Sequence, residues 1–219
     1  MRPEPVQIGL FGGSFDPIHI GHLKSASTAA DQLNLEEVIF IPCRISPHKA
    51  AAAPIAGDFR LRLVRAAMFL DARFSVSAVE LRRNGPSYAI DTIRDFFKRF
   101  PKATFWFLLG QDAFCEFTSW RRYQEILRLV NLGVLTRPGA RLVDPRGVLP
   151  VDIANSICYD FSSNEYTLKS GRLIRMLEVP PIDVSSREIR ARIRQGLPIH
   201  EMVPLTVEKI ILEEALYRP

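Results

Sequence analysis

Gly9-Leu10-Phe11-Gly12-Gly13-Ser14-Phe15-Asp16-Pro17-Ile18-His19-Ile20-Gly21-His22 is the stretch on which the reading of this chain turns. The apolar run Val6 to Leu10 reads as a buried strand, and the Ala- and Leu-rich segment Leu23 to Leu33 as a helix. A strand-to-helix turn is where open α/β sheets bind phosphate groups. Gly12 and Gly13 allow a sharp turn and let backbone N–H groups approach an anion. Asp16-Pro17 is turn chemistry. His19 and His22 fall over the first turn of a helix that starts near Ile18, where the macrodipole is positive. Imidazoles, N–H groups and a dipole aimed at one point suit phosphate charge that develops during a reaction. The competing reading is a tight turn whose histidines only cap a helix.

The turn is neither G-x-G-x-x-G nor G-x-x-x-x-G-K-[ST], which excludes the dinucleotide fingerprint and the lysine-bearing phosphate loop. The 219 residues fit one domain, 1–219, with a small helical part near 185–219. No apolar run is long enough for a membrane span, and the N-terminus lacks a signal-type apolar region. Cys43, Cys115 and Cys158 are far apart and read as reduced, mostly buried thiols of a cytoplasmic protein, without a disulfide framework or a CxxC metal knuckle. The net charge of +5 is mild and no basic block of five occurs, which favours phosphate-bearing small molecules over nucleic acid.

Along the chain, Glu37 to Pro42 reads as a parallel strand covered on both faces. The loop after it carries Ser46-Pro47-His48-Lys49, where Lys49 is either a point charge for a triphosphate or a solvated surface lysine. Asp58 is expected to cap a helix from Phe59 to Leu70, and Phe74 to Leu81 alternates like a third strand. Ser87 is the expected N-cap of a helix to Phe100; Tyr88 beside it faces a ligand or is a half-buried aromatic. Phe105 to Leu109 is a fourth strand ending in Gly110-Gln111-Asp112, on the ligand-binding edge. There Asp112 positions a ribose or a metal-bound water, or caps the next helix. Ser119 to Val130 reads as a helix; Trp120 at its start stacks on a flat ring or belongs to the core. Leu132 to Leu135 and Leu173 to Val179 are two more strands, and 140–171 is expected to hold loops and a short strand.

Ile182 to Arg194 is the second informative stretch. Ser185 with Glu188 forms a capping box pattern, Ile189 and Ile193 mark a core face, and Arg187, Arg190 and Arg194 share another. Hydroxyls, N–H groups and arginine at a positive helix end make a second anion site, or an ordinary capped helix. Gly196-Leu197-Pro198 stops it, and Pro204 to Leu216 is a last amphipathic helix.

Taken together, the His19-Ile20-Gly21-His22 element, Ser46-Pro47-His48-Lys49, Gly85-Pro86-Ser87-Tyr88, Leu109-Gly110-Gln111-Asp112 with Trp120, Thr136-Arg137-Pro138-Gly139 and Val184-Ser185-Ser186-Arg187-Glu188-Ile189-Arg190 resemble the HxGH nucleotidyltransferase superfamily. Within it they are similar to the bacterial nicotinate-nucleotide adenylyltransferase family. Ala89, Ser46 and Arg187 stand where that family usually has Thr, Pro, and Thr or Ser. The resemblance implies a doubly wound Rossmann-like α/β fold and adenylyl transfer from ATP to nicotinate mononucleotide, with Mg²⁺ carried on the ATP phosphates and no protein metal site. It implies that His19, His22, Lys49 and Arg190 are catalytic. ATP would be held by Gly12, Gly13, Ser14, Phe15, His19, His22, Lys49, Gly110, Asp112, Ser186 and Arg190. Nicotinate mononucleotide would be held by Gly13, Ser14, Ser87, Tyr88, Trp120 and Arg137. The rival readings are another phosphate acceptor, such as nicotinamide mononucleotide or pantetheine phosphate, and a non-catalytic nucleotide-binding module. No nucleic-acid or membrane partner is expected, and a homo-oligomer stays open.

Overall fold

A computed structural model describes residues 5–47, 55–137, 139 and 143–218. His48 and Lys49 lie outside the described residues, and so does Pro138. The N-terminal half runs β1 (Gln7–Gly13), α1 (Ile20–Gln32), β2 (Glu37–Pro42), α2 (Gly57–Ala67), β3 (Phe74–Val76), α3 (Val79–Arg82) and α4 (Ala89–Arg99). It continues through β4 (Thr104–Gly110), α5 (Gln111–Cys115), α6 (Tyr123–Leu129) and β5 (Asn131–Thr136). The rest is α7 (Pro145–Val148), α8 (Val151–Ala154), β6 (Cys158–Asp160), β7 (Glu165–Thr167), β8 (Leu173–Glu178), α9 (Ser186–Arg194) and α10 (Leu205–Glu213).

The strands form one sheet in the order β3-β2-β1-β4-β5-β8-β7-β6. β3 to β8 along that order are parallel, and β7 and β6 join antiparallel. This is the α/β architecture expected, extended by an antiparallel hairpin. The near-continuous apolar strands demand cover on both faces. Alternate residues of β2 supply the two sides: Val38 and Phe40 enter the core under α1 and α2, Ile39 and Ile41 the core under α4 and α6. The order reverses between β1 and β4, so a crevice opens beyond their carboxyl ends. Gly13 and Gly110 close those two strands.

Several local expectations are corrected. The third strand stops at Val76 and the chain turns into α3, which buries Glu80. The N-cap of α4 is Tyr88, because the Ser87 hydroxyl accepts instead from the Arg44 N–H at 2.9 Å. α2 begins at Gly57 with Ala56 as its cap, and Asp58 lies in its first turn. α6 starts only at Tyr123, since Arg122 takes a left-handed φ of 56° and breaks the helical run after Trp120. Within 140–171, two short helices and the β6–β7 hairpin replace the expected loops and single strand. Cys43 is buried, but Cys115 and Cys158 are exposed, against the expectation of mostly buried thiols. Helix α10 packs into the same core as α1 and α2 through Val207 and Ile211, and the Thr206 hydroxyl donates to the Ala66 carbonyl at 2.7 Å. No helix among the described residues is long and apolar enough to cross a membrane.

Candidate active site

Two clefts meet at the crevice between β1 and β4. The first, of about 510 Å³, is lined by Ser14, Ser87, Tyr88, Asp112 and Trp120 among others. The second, of about 330 Å³, is lined by Phe15, His19, His22, Arg137, Ser185 and Ser186 among others. Phe11, Gly12, Gly13 and Gly110 belong to both. The two clefts therefore adjoin along glycine backbone.

The histidine pair is built by the start of α1. His19 is its N-cap, with extended φ and ψ, and His22 is the third helical residue. Their rings lie 3.7 Å apart, and the His22 Nδ1 accepts from the His19 backbone N–H at 3.3 Å. A neutral ring that accepts at Nδ1 carries its proton on Nε2. A Cβ on Gly21 would stand 3.0 Å from the His19 Nδ1, so a side chain there would push that imidazole aside. A Cβ on Gly13 would meet the Phe15 ring at 2.9 Å. Phe15 is buried with a left-handed φ of 46°, and its ring backs His22 edge-on at 5.1 Å.

His19 is 7 % exposed. Burial, with the Arg137 charge second, lowers its pKa from 6.5 to about 4. The ring is therefore neutral at pH 7, a donor and acceptor rather than a cation. The sign of the linkage follows: between pH 6.5 and 4 the unfolded chain takes up this proton and the folded one resists it. Stability present above pH 6.5 is lost as pH falls, by about 3 kcal/mol at pH 4 for this group. Denaturant unfolding followed from pH 6.5 to 4.5 is expected to show a shallower decline in His19→Asn than in the wild type. Parallel declines would remove the buried neutral imidazole from this account.

The turn between β1 and α1 is clamped from three other elements. The Ser186 hydroxyl at the start of α9 donates to the Pro17 carbonyl at 2.9 Å, and Arg190 Nη1 to the Asp16 carbonyl at 2.6 Å. The two stretches singled out in the sequence are thus brought together. Arg60, 1 % exposed, donates Nη1 to the Ser14 carbonyl at 2.8 Å and Nε to Ile55 at 3.1 Å. The Tyr217 hydroxyl donates to Asp16 Oδ1 at 2.9 Å. Burial beside the Asp16 carboxylate drives the Tyr217 pKa far up, so it stays a donor. Neither Arg60 nor Tyr217 stands out in a reading by motif. Arg60 had one available signal: it falls on the same helical face as Val64 and Ala67, where an arginine needs partners.

Each expected residue among those described has a definite place; Lys49 lies outside them. Gly12, Gly13, Ser14, Phe15, Gly110, His19, His22 and Ser186 gather at the paired clefts. Ser87, Tyr88 and Trp120 line the first. Trp120 is half-buried, its ring edge-on to Phe107 at 5.9 Å and tilted on Phe117 at 5.4 Å. Asp112, assigned by resemblance to the adenosine side, lines the first cleft, and Arg137, assigned to the mononucleotide side, lines the second. Arg190 reaches the Asp16 carbonyl and stands 3.7 Å from its carboxylate; among the described residues it lines neither cleft. Among the described residues no group of three or more His, Cys, Asp or Glu side chains is placed to hold a metal ion.

Comparison with known proteins agrees with this geometry. The sequence profile of a family described as cytidylyltransferase-like matches residues 10–192. A probable nicotinate-nucleotide adenylyltransferase of Geotalea daltonii is 38 % identical over 213 residues, covering 97 % of this chain and 98 % of its own. One from Pelobacter propionicus is 39 % identical over 212 residues, with coverage of 97 % and 98 %. Among solved structures, the Plasmodium falciparum nicotinic acid mononucleotide adenylyltransferase complexed with APC superposes with a TM-score of 0.70. It shares 18 % identity and 97 % coverage of both chains, a likeness of fold.

Proposed function

The chain belongs to the cytidylyltransferase-like family, among its nicotinate-nucleotide adenylyltransferases, and from that premise we propose how its two clefts divide the work. The protein transfers the adenylyl group of ATP to nicotinate mononucleotide, giving deamido-NAD and pyrophosphate, a step of NAD biosynthesis. The observation that carries the division is the shared wall: Phe11, Gly12, Gly13 and Gly110 border both clefts. ATP occupies the second cleft with its phosphates over the start of α1, and the mononucleotide occupies the first.

An oxygen of the mononucleotide phosphate then attacks the α-phosphorus of ATP in line. A P–O bond forms there as the bond to the β-phosphate bridge breaks, and pyrophosphate leaves with that electron pair. No protein nucleophile is needed; positioning and charge stabilisation carry the reaction, and orientation alone can supply roughly 7–11 kcal/mol. His19 and His22 donate to phosphate oxygens as charge shifts toward the leaving group. Arg137 supports the same cleft with a fixed positive charge. Ser186 sits at the N-terminus of α9, where the helix dipole favours the leaving anion. The donors of this cleft suit phosphate oxygens rather than a cation, which supports a substrate that arrives as the Mg²⁺ complex of ATP.

On the acceptor side, Trp120 offers a flat face to the pyridine ring. Tyr88 caps α4 and Ala89, its first residue, lines the cleft, so the positive end of an 11-residue helix faces the acceptor. That arrangement favours a ring carboxylate over a carboxamide. Pyrophosphate release measured with ATP and each acceptor in turn is expected to give a kcat/KM about tenfold higher for nicotinate than for nicotinamide mononucleotide. Equal values would remove the acid preference. Faster turnover with pantetheine phosphate would reassign the acceptor, and no release with any acceptor would leave a nucleotide-binding module.

A further inference from the structure

Glu80 is the one acidic side chain of the first cleft that is buried, with 6 % exposure. It sits on α3, the short helix that replaces the end of the expected third strand. Its carboxylate accepts from the Thr92 hydroxyl of α4 at 2.6 Å, with the Ser87 hydroxyl beside it; burial pushes its pKa up, while these hydroxyls and Arg83 pull it down. Ser87 accepts in turn from the Arg44 N–H at 2.9 Å, and its own N–H donates to the Ile45 carbonyl at 2.9 Å. Arg83 completes the group, donating to the Thr92 hydroxyl at 3.3 Å and to Asp95 at 2.6 Å. Ser87 therefore joins the segment after β2, which carries the lining residues Ser46 and Pro47, to the start of α4, which carries Tyr88 and Ala89, and Glu80 holds that junction from α3.

We propose that Glu80 is a positioning residue for the acceptor: through Thr92 and Ser87 it fixes the start of α4, the wall of the first cleft that carries Tyr88 and Ala89. The inference rests on the assignment of the mononucleotide to that cleft. The physical reason lies in hydrogen-bond capacity. A carboxylate oxygen accepts the Thr92 proton and leaves the Thr92 oxygen for Arg83, with the Ser87 hydroxyl facing the same group. A carboxamide in the same place offers one oxygen and an NH₂ group, and Thr92 already takes an N–H from Arg83. The hold on the start of α4 is then weakened, although the shape of the side chain is kept. No residue of this network lines the second cleft, whose lining comes from β1, α1 and the turn between them, Gly110 of β4, the end of β5 and the segment from Val179 to the start of α9.

The test is steady-state kinetics of Glu80→Gln, Ser87→Ala and the double variant, with thermal melting of each. Glu80→Gln is expected to raise KM for nicotinate mononucleotide about tenfold, the scale of one charge-assisted hydrogen bond, with KM for ATP and kcat within about threefold. Ser87→Ala keeps the backbone and is expected to shift the same constant. The double variant is expected to lose less than the product of the two single losses, because both loosen the same start of α4. An unchanged KM for the mononucleotide in Glu80→Gln overturns the proposal. So does an equal rise in both Michaelis constants accompanied by a lowered melting temperature, and so do losses that multiply in the double variant. If Glu80→Gln fails to fold, Ser87→Ala alone decides: no selective rise of the acceptor KM overturns it. A wild-type enzyme that transfers to no acceptor overturns the cleft assignment itself, a result read before any variant is compared.

Discussion

Replacing His22 with alanine is expected to lower kcat by about 10²- to 10³-fold, the range for losing one preorganised donor to developing charge. His22 stands at the third position of α1 with its Nδ1 occupied by the His19 N–H at 3.3 Å. Phe15 and Phe11 flank the ring at 5.1 and 6.3 Å, so its orientation is set before substrate arrives. That preorganisation is why the loss should fall on the transition state rather than on the ground state. Binding of ATP, read by calorimetry, should weaken by no more than about threefold, since the backbone donors and the helix dipole remain. Loss of kcat with unchanged KM for both substrates is the kinetic form of this outcome. Turnover within threefold of the wild type would mean that the histidine pair only caps the helix, and the mechanism would have to be abandoned.

The second large effect is structural in origin and functional in its reach. Phe117 is fully buried and contacts Phe114 at 6.1 Å, Trp120 at 5.4 Å and Tyr123 at 6.3 Å. Truncation to alanine is expected to cost about 3–5 kcal/mol through lost transfer energy and an unfilled cavity. In a domain of this size that corresponds to a fall in Tm of about 10 °C. The same cavity lies beside Trp120, so the indole loses the support that holds it at the first cleft. KM for nicotinate mononucleotide should rise about tenfold, the scale of one stacking contact, while KM for ATP holds. Phe117→Leu refills most of the space and should recover the Michaelis constant with a smaller thermal loss. A lowered melting temperature with an untouched acceptor KM would show that Trp120 does not depend on this aromatic cluster.

Much of the lining of the two clefts is legible because its signals are local. Two glycines, a turn proline and a histidine pair lie within one strand-turn-helix unit, so their proximity in sequence is their proximity in space. The alternation at Phe74 to Leu81 misleads for the opposite reason. Taken locally it fits a strand, but the carboxylate of Glu80 finds the Thr92 hydroxyl of another helix, and that tertiary contact overrides the pattern. The same holds at Ser87, an ordinary N-cap by residue type, whose hydroxyl is claimed by the Arg44 N–H instead. Arg122 ends the expected helix early through a backbone angle that no composition rule announces.

From residues alone follow the α/β class, the strand–turn–helix unit at the start of α1 and the capped N-terminus of α9. These depend on hydrophobic period, capping chemistry and glycine placement, all of which act over a few residues. Only the folded sheet decides that Ser186 meets Pro17, 169 positions earlier, or that Tyr217 meets Asp16 across 201. Only the strand order decides that Asp112 borders one cleft and Arg137 the other. The reason is that β1 and β4 are neighbours only after the chain has crossed the sheet twice. The side of that seam on which a strand end opens is a property of topology, which no local pattern of side chains encodes.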